Sequence, residues 1–176
     1  MTGSPRRLFF ALWPDPALRE QLAAASAAAR KHGSGRPVPV DNLHLTLAFL
    51  GNLPAEGVRC VREAAGRVSG SPFTLVLDRV GWWRRPGILW LAPVAWPPEI
   101  ETLAGDLWRS IAPCGLEPET RPFKPHVTVA RRCGRARPGP MTPIEWPVSE
   151  FALIESFAGQ SGARYRVCDR WPLEQI

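Results

Sequence analysis

An α+β fold with antiparallel sheets is predicted by three features of this 176-residue chain. Short apolar strands alternate with amphipathic helices in the order β-α-β-α-β-β-α-β-β-β. Two strand pairs, 73–83 with 87–94 and 148–159 with 163–173, have connections too short for a parallel crossover and read as hairpins. No long linker divides the sequence, so residues 1–176 are expected to form one unit.

Each element has its own signature. Residues 6–13, RRLFFALW, read as a strand stopped by Pro14. A helix follows over 15–33, with Asp15 as N-cap, Pro16 at the first helical position and Gly33 at the stop. The next strand is 43–51, where Leu43, Leu45, Leu47 and Phe49 alternate. Val58, Val61 and Ala65 give residues 54–70 helical spacing, and Ile100, Leu103, Leu107 and Ile111 do the same for 97–115. A strand at 125–132 precedes the Pro/Gly-rich loop 133–143 and the final strand pair.

The composition, 45% hydrophobic and 22% charged, is that of a water-soluble domain. No apolar run approaches the ~20 residues of a membrane span. The start of the chain lacks the apolar length and cleavage site of a signal peptide, so a cytoplasmic location is expected. The net charge of +6, with 20 of the 22 basic residues Arg, fits either general solubility or attraction for a phosphorylated partner. Cys60, Cys114, Cys133 and Cys168 show no CxxC spacing and are expected to be reduced, passive thiols.

One device occurs twice. HLTLAFL at 44–50 aligns with HVTVARR at 126–132, each after a helix and a loop. Strand alternation puts His44 and Thr46 on one face, ~6–7 Å apart, and His126 and Thr128 likewise. Ala48 and Ala130 are expected on the same faces, keeping them open. Two of the chain's three histidines are thus placed alike. A single His-x-Thr is ordinary strand sequence, since Thr favours strands. The repetition is what points to chemistry.

Zinc binding fits poorly, because Thr is a weak ligand and the motif holds no Cys, Asp or Glu. Nucleophilic catalysis by Thr calls for a coupled base and an orienting third group, not two equal copies. Paired imidazoles suit acid–base work on a phosphodiester. One takes a proton from the attacking oxygen and the other protonates the leaving oxygen. Both titrate near neutrality, with an ordinary pKa of ~6.5. Two Thr hydroxyls can hold the phosphate between them.

The motifs His44-Leu45-Thr46-Leu47 and His126-Val127-Thr128-Val129 resemble the paired HxTx signature of the two-histidine (2H) phosphoesterases. RLFFALWPDPALREQL, NLHLTLAFLGNL, RPFKPHVTVAR and the tail FALIESFAGQSGARYRVCDRWPL extend the likeness to the LigT-like branch of RNA 2′,3′-cyclic phosphodiesterases. The resemblance implies a bilobal fold with pseudo-twofold related lobes. Two antiparallel sheets face a central groove, with helices outside. It also implies hydrolysis of RNA or nucleoside 2′,3′-cyclic phosphates to 2′-phosphates. His44 would be proton donor, His126 proton acceptor, and Thr46 and Thr128 the phosphate grip. It further implies ATP-independent 2′-5′ RNA joining. No metal or other cofactor is expected, and the protein is expected to be a monomer whose partner is RNA or a nucleotide with a 2′,3′-cyclic phosphate end.

Arg131 completes a family-like HxTxxR, although its odd offset turns it from the His126 face of a regular strand unless a bulge intervenes. The first copy is apolar at that point, so the halves differ there. Phe9 or Phe10, Tyr165, and Trp82 and Trp83 with Arg84 and Arg85 are candidates for base stacking, or else for packing. His32 reads as a solvated cation at a helix end. Two rival readings stand beside catalysis on RNA ends: a non-catalytic RNA-binding module, and a relative acting on another cyclic phosphate or a 2′-5′ oligonucleotide.

Overall fold

Apolar residues of the helices and of one sheet face meet in the main core, and the other sheet face carries a smaller cluster and the site. The computed structural model describes residues 4–160 and 162–174. Its strands are β1 (Arg6–Leu12), β2 (Arg36–Pro37), β3 (Leu45–Leu53), β4 (Phe73–Leu77), β5 (Arg79–Trp83), β6 (Ile88–Ala92), β7 (Val127–Arg131), β8 (Ile144–Val148), β9 (Glu150–Gly159) and β10 (Gly162–Pro172). Its helices are α1 (Pro16–Ala29), α2 (Ala55–Ala65) and α3 (Pro98–Ile111). The Asp15 carboxylate accepts from the Leu18 amide at 2.7 Å, capping α1 as its sequence predicts.

The fold is α+β and its strand pairings are antiparallel. The main sheet has the order β10-β9-β1-β3-β7-β6-β5, with β2 also on β7, while β4 and β8 form a separate ribbon. The main sheet falls into halves: β3 and β7 are joined only through Leu45 and Val127. Each half carries one copy of the repeated device. Buried residues of all three helices, including Leu22, Val61 and Leu107, pack with Leu8, Phe10, Leu91 and Val127 on one side of the sheet. Phe9, Ala11, Ala152 and Ile154 form a separate small cluster on the other side.

Two expectations needed correction, and one strand lies largely outside the segments that the sequence assigned. The strand read over 73–83 is two strands: Asp78 interrupts it and accepts from the Val94 amide at 2.7 Å, so β4 pairs with β8 and only β5 enters the hairpin with β6. Residues 144–148 form β8 although Pro147 lies within it. A two-stranded ribbon leaves each strand a free edge, which tolerates a missing N–H. The thiols are not all free. Cys60 on α2 and Cys114, just beyond α3, are disulfide-bonded because those helices lie side by side, with Cα atoms 5.8 Å apart. Cys133 is free and buried, and Cys168 is free and half-buried.

Candidate functional site

His44 and His126 each lie one residue before their strand, and Thr46 and Thr128 lie within it. The Leu45–Val127 pair is antiparallel. Its register, continued one residue each way, sets His44 opposite Thr128 and Thr46 opposite His126. Opposed residues share a sheet face, so the four side chains gather on one face with the imidazoles on a diagonal.

The repeat extends to backbone irregularities. Thr46 pairs with Ala11 and Ala48 with Phe10, so Leu47 is an extra residue on β3. Thr128 pairs with Trp90 and Ala130 with Leu89, so Val129 is the matching extra residue on β7. A bulge shifts the alternation by one. Ala48 and Ala130 therefore turn into the core, where they are 2% and 1% exposed, contrary to the open face expected of them. By the same shift Phe49 and Arg131, equivalent residues of the two copies, turn outward, and both are exposed. Arg131 depresses the pKa of both histidines, which places its charge near both rings.

The His44 ring is tightly surrounded. Its Nδ1–H donates to the Asn42 carbonyl at 2.6 Å, since a carbonyl only accepts. In the neutral ring this leaves Nε2 to accept from the Thr46 hydroxyl at 3.0 Å. Asn42 is itself buried and donates its side-chain amide to the Ala163 carbonyl of β10 at 2.7 Å. Phe9, Tyr165 and Trp13 lie against His44 with ring centroids at 4.8, 5.3 and 5.9 Å. Arg19 of α1 sits over Trp13 and donates to the carbonyls of Val40 and Leu43, holding the approach to His44. Burial, joined by the positive charges of Arg131, His126 and Arg19, pushes His44 down to about 4.

His126 is held more simply. Its Nδ1–H donates to the Lys124 carbonyl at 2.7 Å, repeating the first copy's tautomer. Trp83 packs edge-on at 4.6 Å and also touches Trp90. Among the described residues the His126 Nε2 has no hydrogen-bond partner. Burial, then Arg131, lowers its pKa.

The other candidates separate clearly. Phe9 faces His44 while Phe10 is wholly in the core. Tyr165 joins the His44 surround. Trp82 donates its indole N–H to the Cys133 carbonyl and packs with the core, whereas Trp83 joins the site. Arg84 and Arg85 are exposed in the turn between β5 and β6. His32 is exposed beyond α1. Trp13 and Arg19 were missed; the tell was a Trp placed just past the first strand, ahead of the helix cap. Among the described residues no three His, Cys, Asp or Glu side chains cluster as a metal site. No helix is long and apolar enough to cross a membrane.

Comparison with known proteins agrees with this geometry. The LigT like Phosphoesterase family profile matches residues 12–90. The RNA 2′,3′-cyclic phosphodiesterase of Escherichia coli strain K12 is 39% identical over 98% of this chain and 99% of its own length. The enzyme of that name from Thermus thermophilus is 32% identical over 95% and 90%. The crystal structure of E. coli LigT with 3′-AMP superposes with a TM-score of 0.89 at 38% identity, over 97% of this chain and 99% of the other. The chain belongs to the LigT-like phosphoesterase family.

Proposed function

We propose that this protein, acting as one unit over residues 1–176, hydrolyses RNA and nucleoside 2′,3′-cyclic phosphates to 2′-phosphomonoesters. The observation that carries the reading is the diagonal pair of imidazoles, each fixed in one tautomer by a backbone carbonyl two residues earlier. Nδ1 is occupied on both rings, so each presents Nε2 to the substrate.

His126 Nε2 takes a proton from water as its oxygen attacks phosphorus. The bond to the 3′ oxygen breaks, and His44 Nε2 delivers its proton there. The products are a 2′-phosphate and a 3′-hydroxyl, and the two rings have exchanged protonation states. Thr46, Thr128 and Arg131 hold the non-bridging oxygens, whose negative charge the arginine offsets. Burial is the main cause of the low His44 pKa. A phosphate anion beside the ring favours the imidazolium and raises it, so the substrate charges its own proton donor. An RNA 5′-hydroxyl in place of water would give a 2′-5′ linkage by the same proton transfers.

No step calls for a metal. Tyr165 and Trp13, half-buried beside His44, supply stacking surface for a base. The protein is proposed to work as a cytoplasmic monomer; the Cys60–Cys114 disulfide is the feature that a reducing compartment would not favour. The test is product analysis on 2′,3′-cyclic AMP with EDTA present. Accumulation of 2′-AMP is expected; 3′-AMP as the product, binding without turnover, or dependence on added metal would contradict the reading.

A further inference from the structure

The net charge of +6 is not spread over the chain. Segments 31–38 and 129–137 run antiparallel as a ribbon leading away from the site. Val38 donates to the Val129 carbonyl at 2.9 Å, and Pro37 and Arg36 pair with Ala130 and Arg131. Farther out, Ser34 donates to the Arg135 carbonyl at 2.8 Å and Arg137 to the His32 carbonyl at 3.2 Å. This ribbon carries Lys31, Arg36, Arg131, Arg132, Arg135 and Arg137, and no acidic residue. These six charges equal the whole net charge, so the remainder of the chain is balanced. All six are exposed, and none has an acidic partner among the described residues.

The outer end of the ribbon is concave. A pocket of about 270 Å³ is lined by Lys31, His32, Gly33, Arg135 and Arg137. From Arg131 to Arg137 an extended strand covers at most ~20 Å, which spans more than one nucleotide. The inner end, Arg131 beside Arg36, lies on the strand that carries Thr128, three residues along. A small cyclic nucleotide held at the imidazoles has no group that reaches the outer end.

We propose that this ribbon is a phosphate track for the RNA strand that bears the cyclic phosphate, with the outer pocket taking a backbone phosphate away from the reacting end. It rests on the cyclic-phosphodiesterase reading and adds to it a substrate class: an oligonucleotide is preferred to a mononucleotide. Lys and Arg along such a track bind by neutralising phosphates and releasing counterions, so binding weakens with salt.

The test compares wild type with the double variant Arg135→Glu/Arg137→Glu. Ribbon bonds at both positions use the main chain, so the fold should survive, and circular dichroism checks it. The neutral pair Arg135→Gln/Arg137→Gln serves as a milder second variant. Two readouts are taken: kcat/KM on 2′,3′-cyclic AMP and on a short unstructured oligoribonucleotide ending in 2′,3′-cyclic phosphate, and fluorescence anisotropy of the same oligonucleotide ending in 2′-phosphate. The charge-reversed protein should lose about tenfold or more in kcat/KM on the oligonucleotide and keep mononucleotide turnover. Loss of two phosphate contacts should make its salt slope shallower by about 1.4. Unchanged oligonucleotide kinetics and binding, or equal losses on both substrates, would overturn the track. If wild type turned over neither substrate, the cyclic-phosphodiesterase reading would fall, while anisotropy would still decide the track: weaker binding by the variant supports it, equal binding overturns it.

Discussion

The two halves of the site share a motif, a bulge and a histidine tautomer, yet they are not copies. His44 is wrapped by Phe9, Trp13 and Tyr165 and bonded to Thr46, whereas His126 has Trp83 on one side and an unpartnered Nε2. At the position the bulge turns outward, the first half has Phe49 and the second Arg131. Phe49 lies beneath the Arg7 guanidinium at 5.0 Å. The duplicated backbone supplies symmetry about a phosphate. The side chains around it break that symmetry, giving one half an aromatic wall and the other a cation.

Removing either ring should have the largest effect. His44→Ala and His126→Ala should each lower kcat on 2′,3′-cyclic AMP by ~10²–10⁴-fold, measured in steady state with EDTA present. A loss confined to one variant would break the acid–base pairing. Arg131→Ala comes next, with kcat/KM falling by ~10–10²-fold, in line with the ~1.5–3 kcal/mol of a charged hydrogen bond. Phe49→Ala, at the equivalent position, should leave phosphate chemistry near wild type. If the two losses matched, the cation would not be what distinguishes the halves. Thr46→Val and Thr128→Val should each cost ~5–10-fold, as expected for a net hydrogen bond of about 1 kcal/mol; only Thr46→Val should also alter the His44 titration.

The smallest expected effects concern protons. Desolvation is the main cause of the low His44 pKa, so Phe9→Ala should raise it from about 4 toward the ordinary value, and Trp83→Ala should leave it nearly unmoved. Imidazole C–H resonances followed by NMR against pH would show this. Linkage gives the matching stability effect. A histidine whose folded pKa lies below its unfolded ~6.5 binds its proton more readily when unfolded. Stability should therefore fall as pH drops from ~6.5 through about 4, and His44→Gln should flatten that slope in urea melts.

Much of this was legible in the chain. Alternation in 43–51 and 125–132, the capped helix at Asp15 and the repeated His-x-Thr are local signals, and local physics decides them. Placing Phe9 and Phe10 on opposite faces follows from strand geometry alone. The orientation of Ala48, Ala130 and Arg131 was not legible. It depends on extra residues at Leu47 and Val129, and a bulge is defined by the partner strand. The same holds for the Cys60–Cys114 bond, which depends on how α2 and α3 pack across 54 residues of sequence. The split at Asp78 also needed its distant partner, Val94. The excess of arginine was plain, but its concentration on one ribbon became visible only once segments 31–38 and 129–137 lay side by side.

The claim beneath all of these is that a single phosphate sits between both imidazoles. Titrating the protein with 2′-AMP while following the His44 and His126 C–H resonances tests it most directly. Both pKa values should rise as one nucleotide binds, along a common saturation curve with one Kd. A response from one ring alone, or two curves with different Kd values, would contradict the shared site.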